Sequence, residues 1–273
     1  MRTVKTASQL RAAVSAWRKA GETVGFVPTM GALHAGHLSL LGAARAAAER
    51  TVVSIFVNPT QFAPGEDFER YPRREEADAA MLADAGCDLL FAPGVEDIYP
   101  VGFATTVRVG GLDDVLDGAV RPGHFDGVAT VVARLFSLVS ADVAVFGEKD
   151  WQQLLVVKRL AADLAFQTTI VGAPIVREPD GLALSSRNAY LTGADRATAP
   201  LLHTTLVEAA REIAEGRADA LARARAWLGE AGFRVDYLDL RNADDLAPRT
   251  HAPGRLLAAA WLGNTRLIDN IAV

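Results

Sequence analysis

The sequence predicts an α/β protein: a Rossmann-like, doubly wound, mostly parallel sheet over residues 1–177, followed by a smaller α+β domain over residues 178–273. Three observations predict it. Short apolar, β-branched runs alternate with helix-period stretches through the first part of the chain, the pattern of a parallel sheet covered on both faces. The most unusual polar residues fall in the segments just after those runs (29–36, 58–65 and 147–150), where such sheets bind ligands. After Pro179 the order changes to helical patterns first and strand-like runs after, which marks a separate unit.

The elements follow in chain order. Leu10, Val14 and Trp17 keep helical spacing over about Ala7 to Ala20, Thr6 and Gln9 form a capping box, and Gly21 ends the helix. "TVGFVP" (23–28) reads as a strand, followed by the loop "TMGALHAG" and a helix from about Gly36 to Arg50. "TVVSIFV" (51–57) has no polar face and reads as a buried parallel strand. The turn-rich 58–72 segment leads to a helix over about Arg74 to Ala85, and "CDLLFAP" supplies a third strand. "TTVRV" (105–109) is a possible further strand. "RPGHFDG" (121–127) opens a helix to about Ser140, "ADVAVFG" (141–147) is another buried strand, and "EKD" precedes a helix to about Leu164. "QTTIVGAPIVRE" provides one or two closing strands. The linker falls near 176–188; beyond it come helices over about 193–231 and strands at 233–240, 255–262 and 265–273.

Bulk properties exclude several classes. A 273-residue chain with 50% hydrophobic residues readily supplies a core. A net charge of -5 without a basic block argues against nucleic acid as a partner. The single Cys87 precludes an internal disulfide and a cysteine metal site, and reads as a buried structural residue in a reducing compartment. The longest apolar stretch, Val128 to Phe146, is interrupted by Arg134 and Asp142, so no membrane span is expected. The basic, acid-free first twenty residues resemble a transit peptide, but their helical spacing runs straight into the first strand, so a cytoplasmic protein is expected.

The chemistry concentrates in three segments. "GALHAG" spaces Gly31 and Gly36 as a phosphate loop does, yet His37 and Leu38 stand where that loop needs Lys and Ser/Thr, and no G-x-G-x-x-G follows any strand. H-x-G-H suits a different role, because Gly36 lets backbone approach a phosphate at a helix start, and His34 and His37 donate to its oxygens. A structural loop or a zinc site are the rivals, and no third zinc ligand is evident. In "FGEKDW" (146–151), Lys149 is one of only four lysines among 28 Lys and Arg residues, placed to neutralise phosphate; a solvated turn is the alternative. In "ALSSRNAYL" (183–191), Ser185, Ser186 and Arg187 suit a polyphosphate, although Asn188 in such a stretch equally caps a turn. Asn58 and Gln61 in "VNPTQF", together with Gln153, are amides fit to recognise hydroxyl or carboxylate groups. His124 beside Arg121 fits a substrate or interface contact; His203 and His251 read as structural or surface residues.

H-x-G-H after the first strand and Ser-Ser-Arg after the domain are together similar to the nucleotidyltransferases related to class I aminoacyl-tRNA synthetases. More closely, "PTMGALHAGHLSL", "SIFVNPTQF", "YPR", "RPGHFDGVATVV", "FGEKDWQQ" and "IVREPDGLALSSRN" resemble, in order and spacing, the pantoate–β-alanine ligase family over about residues 1–195, and more loosely beyond. Thr60 is one departure, standing where members often carry a larger apolar residue. The resemblance implies that pantoate and ATP form pantoyl adenylate and pyrophosphate, and that β-alanine then gives pantothenate and AMP, with Mg²⁺ and usually in a homodimer. It implies catalytic roles for His37 (as proton donor), His34, Lys149 and Arg187. It implies ATP contacts from Met30, Gly31, Ala32, Leu33, His34, Ala35, Gly36, His37, Gly147, Glu148, Lys149, Asp150, Val176, Leu184, Ser185, Ser186 and Arg187, the last four on a mobile loop. Gln61, Gln153 and Asn58 match positions at the pantoate. The protein ligands of Mg²⁺ stay open. "TTVRV" and "RPGHFDG" are candidate dimer elements, and the 184–187 loop with the small domain is expected to form a lid.

Overall fold

The protein was analysed as a computed structural model that describes residues 1–63, 65–250 and 253–273; His251 lies outside the described residues. Six strands form one parallel sheet: β1 (Arg2–Val4), β2 (Val24–Thr29), β3 (Arg50–Ile55), β4 (Leu89–Phe91), β5 (Val143–Gly147) and β6 (Thr169–Ala173), in the order β1-β4-β3-β2-β5-β6. From β2 the chain winds outward through β3 and β4, then returns to the other side of β2 with β5 and β6. The switch point therefore lies between β2 and β5, and a crevice opens beyond their carboxyl ends. The crossovers run through α2 (Ala35–Ala47) and α3 (Glu75–Asp84) on one face. On the other lie α1 (Ala7–Lys19), α6 (His124–Val139) and α7 (Trp151–Asp163), with the short α4 (Val95–Ile98) and α5 (Asp117–Val120) between. Both faces are dry: Phe26, Phe91, Phe136 and Leu154 pack on one side of the sheet, and Leu41, Val53, Leu82 and Leu90 on the other.

The predicted elements recur with small shifts at their ends, and the capping box of α1 is present: the Gln9 amide donates to Thr6 Oγ1 at 3.3 Å while Gln9 Oε1 accepts from the Thr6 amide. Two features differ from expectation. The chain does not open on a helix, because Arg2–Val4 pairs in parallel with Leu89–Phe91. That strand fills the sheet edge beyond β4, so "TTVRV" finds no strand partner among the described residues; it runs extended, with the Val107 amide donating to Thr130 Oγ1 at 2.9 Å. "QTTIVGAPIVRE" yields one strand plus a single bridge between Arg177 and Ala183. Cys87 is buried.

The C-terminal part packs α8 (Gly193–Thr198), α9 (Leu201–Ala214) and α10 (Ala220–Glu230) against an antiparallel sheet of β7 (Arg234–Asn242), β8 (Gly254–Leu262) and β9 (Thr265–Ala272) around its own core of Leu202, Leu206, Leu228, Leu238 and Leu256. It is strongly tied to the larger sheet. The Arg177 guanidinium forms a two-pronged pair with buried Asp269 of β9 at 2.6 and 2.8 Å. No helix among the described residues is long and apolar enough to cross a membrane.

Candidate active site

At the switch point a chamber of about 230 Å³ lies between the β2 and β5 ends. It continues into a cleft of about 800 Å³ between the two sheets, and Lys149, Asp150, Gln153, Ser185 and Arg187 line both spaces. The chamber wall is apolar where α6 and the strand ends meet (Phe56, Val128, Val131, Val132, Leu135, Phe146), and polar where loops converge. The chamber is smaller than a typical ligand pocket, so any nucleotide-sized ligand must extend into the cleft.

The β2–α2 loop is built from beneath. Gly31 and Ala32 both take left-handed backbone (φ 83° and 52°). Buried Asp78 of α3 holds them there, with Oδ2 accepting from the Ala32 amide at 2.8 Å and Oδ1 from the Leu33 amide at 2.9 Å. His34 then caps α2: its Nδ1 accepts from the Gly36 amide at 3.1 Å, while His37 Nδ1 accepts from the His34 amide at 3.3 Å. A Cβ at position 36 would sit 2.8 Å from the His34 ring. The glycine thus makes room for the capping imidazole as well as for any ligand. With both Nδ1 atoms accepting, each neutral ring carries its proton on Nε2. The rings lie 4.1 Å apart. Burial, then the nearby Lys149, lowers the His34 pKa to about 4; burial, then His34 and Lys149, lowers that of His37 to about 3. Both are therefore neutral hydrogen-bond donors at neutral pH in the free protein.

Lys149 sits in the 3-10 turn Glu148–Asp150 that follows β5, lines the chamber and makes no ion pair among the described residues. Arg187 is engaged: Nε and Nη2 both reach Asp67 at 3.0 Å, and the guanidinium lies over Tyr71, 5.6 Å from the ring centre. Tyr71 also meets Ser186 Oγ at 3.3 Å, and Tyr190 donates to the Arg70 carbonyl at 3.2 Å. The Ser-Ser-Arg segment is thus fastened to the loop before α3. Met30, Gly36, Gly147, Val176, Leu184 and Ser185 line the chamber as well. Of the remaining predicted contacts, Leu33 is buried in the apolar cluster beneath, Ala35 is exposed at the start of α2, and Glu148 turns toward Arg255 at 3.3 Å.

Gln61 and Gln153 both line the chamber. Gln61 is oriented by its neighbours, donating to Met30 Sδ at 3.0 Å and accepting from Asn58 Nδ2 at 3.1 Å. Asn58 is itself 1% exposed and saturated. Its Nδ2 also donates to the Gly127 carbonyl at 3.1 Å, and its Oδ1 accepts from Thr60 and from the Tyr99 hydroxyl at 2.8 Å. It also lines the chamber and holds Gln61 in place. This needs glycine at 127, where a Cβ would lie 2.4 Å from the Thr60 carbonyl oxygen. His124 works alike. Its Nδ1 donates to the Gln61 carbonyl at 2.8 Å and its Nε2 accepts from Arg121 at 3.0 Å, and burial, then Arg121, lowers its pKa to about 4. Arg121 is paired in turn with Glu66 at 2.7 Å through two prongs. Asp78 and Asp67 are not evident from the sequence, the first looking like a solvated helix acid and the second like a turn residue, and Tyr71 is marked there only as part of "YPR".

No group of three or more His, Cys, Asp or Glu side chains among the described residues is placed to hold a metal. Asp150, at the chamber wall and making no side-chain hydrogen bond among the described residues, is the carboxylate suited to a cation that keeps most of its water and leans on ligand phosphates.

A doubly wound sheet with an H-x-G-H helix start, a free lysine and a Ser-Ser-Arg segment around one crevice defines an enzyme that handles a nucleotide triphosphate. Comparison makes this specific. The family described as Pantoate-beta-alanine ligase matches residues 2–272. Similar curated proteins, each named pantothenate synthetase, include one from Cereibacter sphaeroides (60% identical, covering 99% of both chains) and one from Caulobacter vibrioides (55%, covering 99% and 98%). Similar solved structures are the pantothenate synthetase of Thermus thermophilus (TM-score 0.94, 52% identical, 99% of both chains) and the pantoate-beta-alanine ligase of Francisella tularensis complexed with beta-gamma ATP and beta-alanine (TM-score 0.87, 34%, 100% and 97%). The chain belongs to the pantoate–β-alanine ligase family and is an enzyme of that kind.

Proposed function

We propose that the enzyme joins pantoate to β-alanine in two steps through a pantoyl adenylate. In the first, a pantoate carboxylate oxygen attacks the α-phosphorus of ATP, the bond to the bridging oxygen breaks, and pyrophosphate leaves. The attacking carboxylate is already ionised at neutral pH, so no base is required. What is required is alignment, and stabilisation of charge on the phosphate oxygens. In the second step the free amine of β-alanine attacks the acyl carbon, the acyl–oxygen bond breaks, and AMP departs.

The observation that carries this reading is the chamber itself. An apolar wall with two amides, Gln61 and Gln153, abuts the histidine pair and Lys149. That suits a small acid with geminal methyl groups and two hydroxyls, its carboxylate directed at a nucleotide phosphate. His34 and His37 donate from Nε2, Lys149 supplies a fixed positive charge, and Arg187 is carried by the adjoining segment. Mg²⁺, when bound, would neutralise phosphate charge, and Asp150, the carboxylate that lines the chamber, is the residue that would hold it. The clasp of Ser186 and Tyr190 on the loop before α3 supports a cover over the crevice, which keeps water from the acyl adenylate. The 105–109 run, outside the sheet and exposed at Thr105, Thr106 and Arg108, supports pairing with a second copy in a homodimer.

The test supplies ATP, Mg²⁺ and pantoate without β-alanine and follows pyrophosphate. Pantoate-dependent release is expected, and added β-alanine should yield AMP and pantothenate in equal amounts. Release that ignores pantoate would overturn the reading.

A further inference from the structure

The small antiparallel sheet reaches back into the catalytic turn through one side chain. Asn270 of β9 is 2% exposed, and its Nδ2 donates both to the Glu148 carbonyl at 3.0 Å and to the Lys149 carbonyl at 2.8 Å. Its Oδ1 accepts from Arg255 Nε of β8 at 2.6 Å. Arg255 extends the same grip: Nη2 reaches Glu148 at 3.3 Å, and its guanidinium lies 3.7 Å from the Trp151 ring centre. The Trp151 indole in turn donates to the Ala243 carbonyl at the end of β7, at 2.9 Å. Three of the four residues 148–151 (Glu148, Lys149 and Trp151) are thus gripped from a part of the chain more than ninety positions away in sequence. Fixing the carbonyls of Glu148 and Lys149 fixes the peptide planes on either side of the Lys149 Cα, and with them the direction in which its side chain leaves the turn.

We propose that Asn270 is the positioning residue for Lys149, so that the C-terminal sheet contributes to phosphate binding by setting the aim of a lysine it does not itself carry. Both donors of the Asn270 amide and its oxygen are used, so no other side chain of its size serves. Aspartate would keep the acceptor for Arg255 but lose both donors and set a carboxylate against two carbonyls. Alanine would leave the carbonyls and Arg255 Nε without partners. The inference rests on the reading of Lys149 as a phosphate contact in the ligation.

The experiment is a double-mutant cycle over Asn270→Asp and Lys149→Ala in the full-length enzyme, read as ATP affinity by calorimetry and as pantoate-dependent pyrophosphate release. Asn270→Asp alone should lower kcat/KM for ATP on the order of 10- to 100-fold, the scale of a misplaced catalytic group. KM for pantoate should stay near that of the parent. In the Lys149→Ala background the same change should cost less than about twofold, because an aim no longer matters when the lysine is absent. Multiplicative losses would overturn the proposal, as would wild-type kinetics in Asn270→Asp. Arg255→Met, which spares the Asn270 amide, is the second variant should Asn270→Asp fail to fold; a milder loss that also disappears without Lys149 is expected, and a loss that persists would count against the proposal. Calorimetric coupling between the two positions is read without turnover, so it stands apart from the identity of the acyl substrate. Absence of pantoate-dependent release by the parent enzyme would instead refute the ligation.

Discussion

Replacing Asp78 by asparagine removes one oxygen from a side chain that never touches the chamber, yet it should disable the loop that holds the histidines. The two carboxylate oxygens accept from two successive amides, the half-buried Ala32 and the buried Leu33. Asparagine keeps one acceptor and turns an NH₂ group toward the other amide. Losing a hydrogen bond to a charged acceptor costs about 1.5–3 kcal/mol, and a buried donor left unpaired adds about 1–3 kcal/mol, so the change should destabilise by about 3 kcal/mol. The backbone adds its own push, since Ala32 sits in left-handed geometry that costs a non-glycine residue about 1–2 kcal/mol and relaxes once untethered. His34 and His37 follow directly, so kcat/KM for ATP should fall on the order of 10². Urea unfolding and initial-rate kinetics on Asp78→Asn and Asp78→Ala measure both effects, and the alanine variant, which loses both acceptors, should be affected at least as much. An asparagine variant with the parent's urea midpoint and kcat/KM would refute the reasoning. Lost stability with intact kinetics would show that the loop holds its shape without Asp78.

Three further outcomes are expected. His37→Ala should lower the rate of pyrophosphate release about 10²-fold or more, as for loss of a donor to developing charge, and near-parental turnover would remove His37 from the chemistry. Asn58→Ala should raise KM for pantoate and destabilise by about 2–4 kcal/mol, since it removes the donor to the Gly127 carbonyl and an acceptor of the Tyr99 hydroxyl and frees Gln61; unchanged pantoate affinity would contradict the orienting role. Acid should weaken the fold earlier than the carboxylates alone require. His37 and His124 have folded pKa values of about 3 and 4, below the unfolded value of about 6.5, so the unfolded chain takes up their protons first and stability falls as pH drops through 6.5 toward those lower values. At pH 5 each contributes a loss of about 1–2 kcal/mol. Urea midpoints at pH 7.5 and 5 would expose it, with a smaller difference expected in His124→Gln, and a midpoint unmoved over that interval would count against neutral burial.

Much of the fold and site is legible in the sequence, and the misses have physical causes. Runs such as "TVVSIFV" announce buried parallel strands because nothing polar interrupts them, and H-x-G-H, "EKD" and Ser-Ser-Arg announce themselves by their place after strands. "MRTV" is too short to show a period, which hides β1, and its pairing with β4 is also why "TTVRV" stays outside the sheet. Asp78 is hidden by company: it follows Glu75 and Glu76 in the first turn of α3, where acids ordinarily face water. Asn58 and Gln61 are both visible as amides, but only tertiary contacts show that both line the chamber and that the first also orients the second. Asn270 follows Asp269 in a strand-like run, with nothing local to show that it reaches the turn after β5.

The pairing of Arg187 with Asp67 bears on how the enzyme responds to its ionic surroundings. An arginine already holding a carboxylate does not wait as an open cation; if it turns to phosphate as proposed, one anion is exchanged for another and Asp67 is released to water. The strength of that contact is then a difference between two ion pairs. Added salt, which screens both, should shift ATP affinity through Arg187 much less than through unpaired Lys149. The resting crevice thus carries its own placeholder anion, which keeps a buried guanidinium neutralised between turnovers.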